Sequence, residues 1–225
     1  MPLSLPLSQD QIEAAACLYT RFHGWDVSDK ALRCLKDAIP GLEPEAVLLK
    51  VVAVNALYYT NVMAIARMAE HVSRIVQRTG PDDFTVATVE EVARLPSAPG
   101  QKYDRRFPSF ASKFAHFFID EERFPIYDYY AVKMVERHLG KGNRKVDRER
   151  PYAAYVENLD TLLRESGVKA SMKQLDCYLW VAGQHAEWLR NKQVPISAEM
   201  RRLFEKGTEQ ERDLLKRVVG RAVLW

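Results

Sequence analysis

The chain has 225 residues, of which 47% are hydrophobic and 28% are charged, and its formal net charge at pH 7 is +3. This length allows one sizeable domain or two small helical lobes, and the composition is that of a soluble globular protein. No apolar run approaches the roughly 20 residues that would span a bilayer, and so mild a charge cannot by itself argue for nucleic-acid binding.

Capping boxes, prolines and glycines mark the ends of a series of predicted helices. Ser8 with Gln11 and Ser171 with Gln174 have the form of such boxes, and Pro44 suits a first helical turn. In chain order, the predicted helices cover residues 9–22, 29–39, 44–59, 63–77, 89–95, 111–118, 129–139, 151–165, 171–190, 197–206 and 208–219. The helix from Pro44 is apolar on most sides, which predicts that it is buried. We therefore predict an all-α fold.

The most informative stretch is residues 108–128, PSFASKFAHFFIDEERFPIYD. Apolar residues at three- and four-residue spacing predict a helix that carries Lys113 in its first turn. Pro125 stops any helix that continues from Asp120, and Asp128 fits the N-cap of the next helix, which Gly140 ends. An amine and a carboxylate are therefore predicted at the N-terminal ends of two helices that a short loop joins.

The residues Ser109-Phe110-Ala111-Ser112-Lys113, followed by Phe124-Pro125-Ile126-Tyr127-Asp128, resemble the core of the helix-hairpin-helix DNA glycosylases, especially the 8-oxoguanine branch. The resemblance implies a single domain over residues 1–225, with its core at 104–140. It implies two helical lobes with a helix-hairpin-helix-like element and a cleft between them. It also implies that Lys113 is the nucleophile and Asp128 the catalytic aspartate. The family hairpin usually contains two glycines, and Ser109 and Ala111 stand at those positions here.

The same resemblance implies a base pocket and an inserted asparagine. Asn61, at a helix junction, is similar to the family asparagine that enters the gap left by an extruded base, although a helix cap is an equal interpretation. Gln184 with Trp180 or Trp188, on one face of a late helix, resembles the glutamine and aromatic ring of the family pocket, although tryptophans at this spacing more often pack in the core. Tyr127 and Tyr129 flank Asp128 and could stack on a base, or they could pack in the core.

Basic residues near the hairpin are candidates for contact with DNA phosphates. The loop 97–107 leads into the hairpin, and the most basic stretch of the chain is 140–150, which we interpret as a loop that follows the DNA backbone or as a disordered tether. The candidate contacts are Lys102, Arg105, Arg106, the backbone amides of Ser109, Phe110 and Ala111, and Lys141, Arg144 and Lys145.

Glycosidic bond cleavage explains why these residue types are needed. Positive charge builds on the sugar as the base leaves, so a carboxylate such as Asp128 can stabilise it. An amine attacks the sugar only when it is neutral, so Lys113 needs apolar surroundings and a helix N-terminus to lower its pKa from about 10.4. The target atom lies inside the duplex, so the nucleotide must be flipped out.

The remaining sequence patterns indicate which cofactors to expect and in which cellular compartment the protein works. The three cysteines are scattered and odd in number, which favours a reducing compartment and does not supply the four thiolates of an iron–sulfur cluster. We predict no metal and no cofactor, since HExxH, CxxC and glycine-rich nucleotide motifs are missing from the sequence. The N-terminal residues do not resemble a secretory signal. We expect a cytoplasmic, bacterial-type monomer with no membrane contact, associated with the nucleoid when bound to DNA.

The leading hypothesis is a DNA glycosylase with AP lyase activity that acts on duplex DNA containing a damaged or modified base. The alternatives are a monofunctional glycosylase that uses Asp128 and water, a catalytically silent DNA-binding module, and a helical interaction protein in which Lys113 and Asp128 are incidental.

Overall fold

The computed structural model describes residues 2–97 and 104–220, which form eleven α-helices and one two-stranded antiparallel sheet. The helices are α1 Gln9–Tyr19, α2 His23–Ala38, α3 Pro44–Tyr58, α4 Ile65–Thr79, α5 Val86–Ala93, α6 Pro108–Phe118, α7 Tyr129–Leu139, α8 Pro151–Ser166, α9 Met172–Arg190, α10 Ala198–Lys206 and α11 Glu209–Val219. The strands β1 Arg94–Leu95 and β2 Arg105–Arg106 pair with Arg94 opposite Arg106 and Leu95 opposite Arg105. The all-α prediction is confirmed.

The chain divides into two compact units, each assembled from segments that are distant in sequence. Unit 1 contains the described residues of Met1–Asp26, Asp128–Val146 and Tyr155–Trp225, and unit 2 contains those of Val27–Tyr127 and Asp147–Ala154. Lys113 therefore belongs to unit 2 and Asp128 to unit 1.

The core of unit 1 forms where α1, α7 and α11 pack against α9. Helix α9 is long and buries about half of its residues, because apolar and small residues occupy several of its faces. Its fully buried members are Leu175, Tyr178, Leu179, Val181 and Ala182.

The core of unit 2 forms where α6 packs against α3 and α5, with α4 beside α3. Helix α6 is buried continuously from Phe110 to Phe118, so a nine-residue run that includes one lysine lies inside the unit. Helix α3 is less buried than its all-round apolar sequence predicts, since Leu49 is 50% exposed and Val52 is 44% exposed. Neighbouring elements cover only part of its surface, which periodicity cannot indicate.

Several helix ends differ from their predicted positions. Helix α2 begins at His23, six residues before the predicted start at residue 29. The cap of α5 is Thr85, and Thr88 occupies the third position of its capping box. Helix α6 begins at Pro108, because proline lacks an N–H and fixes a helical φ. Lys113 consequently lies in the second turn of α6, and the predicted hairpin turn at 109–111 is part of the helix.

Candidate active site

Lys113 is a buried lysine inside unit 2. Its side chain is 4% exposed, and its Nζ donates a hydrogen bond to Ser109 Oγ at 2.7 Å, one turn earlier on α6. The same Nζ lies 5.7 Å from the centroid of the Tyr58 ring. Lysine is seldom buried this completely, because a charged amine leaves water only when partners compensate for the lost hydration.

A tyrosine that sequence reasoning missed lies beside this amine, and it is hydrogen-bonded to a buried aspartate. Tyr58 ends α3, and its hydroxyl is hydrogen-bonded to Asp29 Oδ1. Asp29 is 8% exposed, and the Tyr58 ring packs on Phe117 with the ring centroids 5.4 Å apart. The only sequence signal was the occurrence of polar residues on otherwise apolar helices, and it gave no reason to pair them with Lys113.

Lys50 provides a comparison, because it is a second buried lysine of unit 2. Its Nζ donates to the carbonyl oxygen of Gly41 at 2.6 Å and lies 5.2 Å from the Phe118 ring centroid. Burial lowers the pKa of Lys50. Lys50 thus donates to a backbone acceptor, whereas Lys113 donates to a side-chain hydroxyl.

The loop that follows α6 is tied to that helix by backbone hydrogen bonds. The amide of Tyr127 donates to Ser112 Oγ at 2.9 Å, and His116 Nδ1 lies 3.0 Å from the carbonyl oxygen of Phe124. The Tyr152 hydroxyl donates to the carbonyl oxygen of Pro125 at 3.2 Å. The residue that precedes Asp128 in the chain is therefore held to the residue that precedes Lys113.

Asp128 caps α7 in unit 1, as predicted. Its Oδ1 accepts from the amides of Tyr130 at 2.8 Å and Ala131 at 3.4 Å, and the carboxylate is half-buried. No hydrogen bond joins Oδ2 to any residue in the described parts of the chain. One oxygen is thus fixed by the helix, and the other makes no hydrogen bond within the described residues.

The first turn of α7 lies close against α9. A Cβ added at Gly183 would lie 2.3 Å from the carbonyl oxygen of Tyr130, so only glycine permits this approach. The Tyr130 hydroxyl donates to the carbonyl oxygen of Pro195 at 3.1 Å. The hydroxyl of Tyr129, a predicted pocket residue, lies 3.5 Å from Glu187 Oε2, and its side chain is 52% exposed. These contacts fix the helix whose N-cap is Asp128.

Gln184 and Trp180 are the other two residues predicted to line a base pocket. The surroundings of Gln184 fit that prediction better than those of Trp180. Gln184 is 2% exposed, and its Nε2 is buried without a hydrogen-bond partner among residues 2–97 and 104–220. An unpaired buried donor costs about 1–3 kcal/mol, which a bound acceptor would recover. Trp180 instead packs in an aromatic cluster with edge-on contacts to Tyr19, Phe22 and Trp25. Trp180 therefore has a packing role in unit 1.

Asn61 lies in the loop between α3 and α4 and is not a helix cap, since the N-cap of α4 is Ala64. Asn61 is exposed and has φ +58°, and Tyr59 in the same loop has φ +50°. Left-handed backbone at residues other than glycine is uncommon and is often found at functional sites. Asn55 holds this loop by accepting from the Val62 amide at 2.9 Å.

The groups near α6 that are candidates for contact with a phosphate differ in whether another residue already binds them. Arg106 is hydrogen-bonded to Glu149 through both its carbonyl and its carboxylate oxygens, whereas Arg105 is exposed. The amides of Ser109 and Phe110 have no acceptor within α6 by helix geometry, but the amide of Ala111 donates to the carbonyl oxygen of Phe107 at 3.0 Å. Lys102 lies outside the described residues.

The basic stretch 140–150 forms ion pairs in both units. In unit 1, Arg144 Nη1 lies 2.7 Å from Glu136 Oε1, and Lys145 is paired with Glu157. The side chain of Asn158 accepts from the Lys145 amide through Oδ1 and donates to the Lys145 carbonyl through Nδ2. Lys141 is exposed. Much of the positive charge predicted to face DNA is therefore balanced by nearby carboxylates.

Comparison with known protein families gives one match for the chain. A family model named HI_0787_N and described as an N-terminal domain matches residues 11–123, which is 113 of the 225 residues. The match contains Lys113 and ends before Asp128. No curated protein and no solved structure matches the chain. Within the described residues, no helix is both long and apolar enough to cross a membrane, and no group of His, Cys, Asp and Glu is arranged to hold a metal ion.

Proposed function

We propose that this chain, which belongs to the HI_0787_N family, is a DNA glycosylase that removes a damaged or modified base from duplex DNA. The observation that carries the proposal is the buried amine of Lys113, held by Ser109 and lying beside Tyr58. Buried ionisable groups with specific polar partners are concentrated at functional sites. The capping carboxylate of Asp128, with one oxygen uncommitted among the described residues, supports a second catalytic role.

In the proposed reaction, the neutral amine of Lys113 attacks C1′ of the target sugar and forms a C–N bond. The N-glycosidic bond breaks, and the base leaves with the bonding electrons and then takes up a proton. The Asp128 carboxylate stabilises the positive charge that develops on the sugar. Sugar ring opening gives a Schiff base between Lys113 and C1′.

The Schiff base allows a second step that nicks the strand. Loss of a proton from C2′ and departure of the 3′ phosphate break the C3′–O bond, and water then hydrolyses the Schiff base and regenerates the amine. The enzyme would therefore be a glycosylase with AP lyase activity. Ser109 would orient the amine for attack, since its hydroxyl already accepts a hydrogen bond from Nζ.

Recognition of the base needs a flipped nucleotide, because the reacting carbon is not accessible in a stacked duplex. The unpaired Nε2 of Gln184 supports a role in binding an acceptor on the base edge. The exposed, left-handed Asn61 supports insertion into the gap that the base leaves. We propose that a monomer binds duplex DNA through these residues and the nearby arginines.

The test combines base release with borohydride trapping on duplexes that each contain one modified base. We expect a covalent adduct with the wild-type chain and none with Lys113→Gln. Lys216→Gln is the control, because Lys216 is exposed on α11 and pairs only with a surface carboxylate in the described structure. Asp128→Asn should slow base release by about 100-fold, the scale of losing one charge-stabilising group.

Two results would assign a different function. Base release that survives Lys113→Gln, without any trapped adduct, would indicate a monofunctional enzyme that uses Asp128 and water. Salt-sensitive DNA binding with no base release from any substrate would indicate a catalytically silent module. The observation that favours the silent module is that the Ala111 amide at the hairpin position is already used inside α6.

A further inference from the structure

Unit 2 contains a cavity of about 490 Å³ that opens to solvent and has no role in the function proposed above. Its walls come from α4, α5, β1 and the segment that precedes α8. Four arginines and three glutamates line it, so its wall carries one net positive charge. A volume of this size fits a small ligand, because ligand pockets usually measure about 300–1,000 Å³.

Carboxylates orient several of these arginines. Arg78 Nη2 lies 2.5 Å from Glu91 Oε2, and Arg94 Nη2 lies 3.1 Å from Glu149 Oε2. Each guanidinium has five N–H donors in a fixed plane, so one such bond leaves most of the donors for a ligand. Within the described residues Arg74 has no ion pair, and its side chain is exposed. A set of arginines held in this way is suited to the oxygens of a phosphate.

His71 is a buried residue of the cavity wall, and one of its ring nitrogens is unpaired in the described structure. It is 7% exposed, and its Nε2 lies 3.0 Å from the carbonyl oxygen of Glu91. A carbonyl can only accept, so Nε2 carries the hydrogen and Nδ1 presents a lone pair. This Nδ1 is buried and has no partner in the described part of the chain. Burial lowers the pKa of His71, which keeps the ring neutral and the lone pair available at physiological pH.

We infer that this cavity binds a nucleotide, with its arginines on the phosphate and His71 accepting a hydrogen bond from an N–H of the base. Ile75 and Pro96 supply apolar wall for the face of the ring. A free mononucleotide and a nucleotide within a DNA strand both carry a phosphate and a base, so both fit the cavity equally well. The inference does not depend on Lys113 or on glycosylase activity.

Isothermal titration of the full chain with two probes tests each contact separately. Pyrophosphate offers only acceptors, and deoxyadenosine monophosphate offers a phosphate and an amino group. We expect Arg74→Gln to weaken binding of both probes about tenfold, as for loss of one charged hydrogen bond. His71→Leu should weaken only the nucleotide, and His71→Gln, which keeps an acceptor oxygen, should restore it.

Arg201→Gln is the matched control, because Arg201 is an exposed arginine of α10 that does not line the cavity. Equal binding by Arg74→Gln and Arg201→Gln would overturn the inference, as would no binding of either probe at millimolar concentration. Competition between duplex DNA and the nucleotide would identify a DNA strand as the source. Independent binding of the two would identify a free nucleotide. Neither result depends on whether a base is released.

Discussion

At the scale of single residues, the functional proposal depends on the surroundings of one amine. Lys50 and Lys113 are both buried in unit 2, yet Lys50 bonds a backbone carbonyl and Lys113 bonds the Ser109 hydroxyl. A hydroxyl can accept from the amine and donate elsewhere, whereas a carbonyl can only accept. This difference is the reason for assigning chemistry to Lys113 and a packing role to Lys50.

Removal of the Ser109 hydroxyl should weaken both the fold and the reaction. We expect Ser109→Ala to lower the free energy of unfolding by about 1–2 kcal/mol, because the Lys113 amine loses an acceptor. The rate of adduct formation should also fall about tenfold, equivalent to about 1.4 kcal/mol of orientation. Urea denaturation and single-turnover trapping measure the two effects.

Ser73→Ala is the control for that change. Ser73 is also buried in unit 2, but its Oγ has no hydrogen-bond partner among the described residues. Removing an unpaired hydroxyl should leave stability unchanged or raise it slightly. If Ser109→Ala and Ser73→Ala lose equal amounts of stability, the Ser109 hydroxyl does not support Lys113.

The loop that presents Asn61 gives a second prediction at this scale. Asn55 accepts from the Thr60 hydroxyl and the Val62 amide at 2.9 Å each, and it donates to the Val62 carbonyl at 3.2 Å. Asn55→Ala should cost about 2–3 kcal/mol, because buried backbone groups lose their partners. Asn61→Gly should change stability by less than about 0.5 kcal/mol, since glycine adopts φ +58° without strain. If Asn61 enters DNA, Asn61→Gly should still slow base release.

At the scale of helices, the orientation of Asp128 depends on how α7 meets α9. Asp128 fixes the start of α7 by capping two amides, and Gly183 allows the next residues to approach α9 closely. The cap is a local interaction between neighbours in sequence. The close approach of α7 to α9 depends instead on Gly183, which lies 55 positions after Asp128 in the sequence.

A methyl group at Gly183 should therefore disturb the N-terminus of α7. We expect Gly183→Ala to destabilise the protein by about 1–3 kcal/mol, because overpacking of a tight contact forces backbone shifts. Gly142→Ala is the control, since a Cβ there would meet nothing within 4 Å. Thermal unfolding of both variants measures the difference. An unchanged melting temperature in Gly183→Ala would contradict the close approach.

At the scale of the whole molecule, His138 connects the N-terminal segment of unit 1 with α7 and α9 of the same unit. Its Nδ1 lies 2.7 Å from the carbonyl oxygen of Leu5, and its Nε2 lies 2.9 Å from the Tyr178 hydroxyl. The carbonyl fixes the tautomer, so Nδ1 donates and Nε2 accepts from Tyr178. Burial lowers the pKa of His138 to about 4 and raises the pKa of Tyr178.

This arrangement predicts acid sensitivity in a defined range. The unfolded pKa of 6.5 exceeds the folded value of about 4, so the unfolded state binds more protons between them. Stability should therefore fall as the pH drops from about 6.5 to about 4, by about 3 kcal/mol from this residue. Below that range the contribution of His138 is constant. Urea denaturation across pH 4–8 measures the slope.

His138→Gln should be less stable than the wild type at pH 7 and should show a shallower fall in acid. His185, half-buried and with a pKa also lowered to about 4, adds an effect of the same sign over the same range. His23→Gln serves as the control, because His23 is exposed at the start of α2. Parallel pH curves for the His138 and His23 variants would show that the buried ring does not cause the acid sensitivity.

The sequence alone determined the all-α class and many helix ends. The Ser8, Asp128 and Ser171 caps are correct because capping depends on residues within one turn of each other. It also indicated Lys113 and Asp128 as a pair worth testing. Local signals failed at α2 and α6, where the helices begin earlier than predicted, since packing can extend a helix beyond its local start signal.

Only the tertiary structure placed Tyr58 beside Lys113 and bonded it to Asp29, brought Gly183 against Tyr130, and gathered arginines from separate elements around one cavity. Each of these arrangements joins residues that are far apart in the chain. Their proximity follows from how apolar helix faces pack against each other, and periodicity shows which face is apolar without showing its partner.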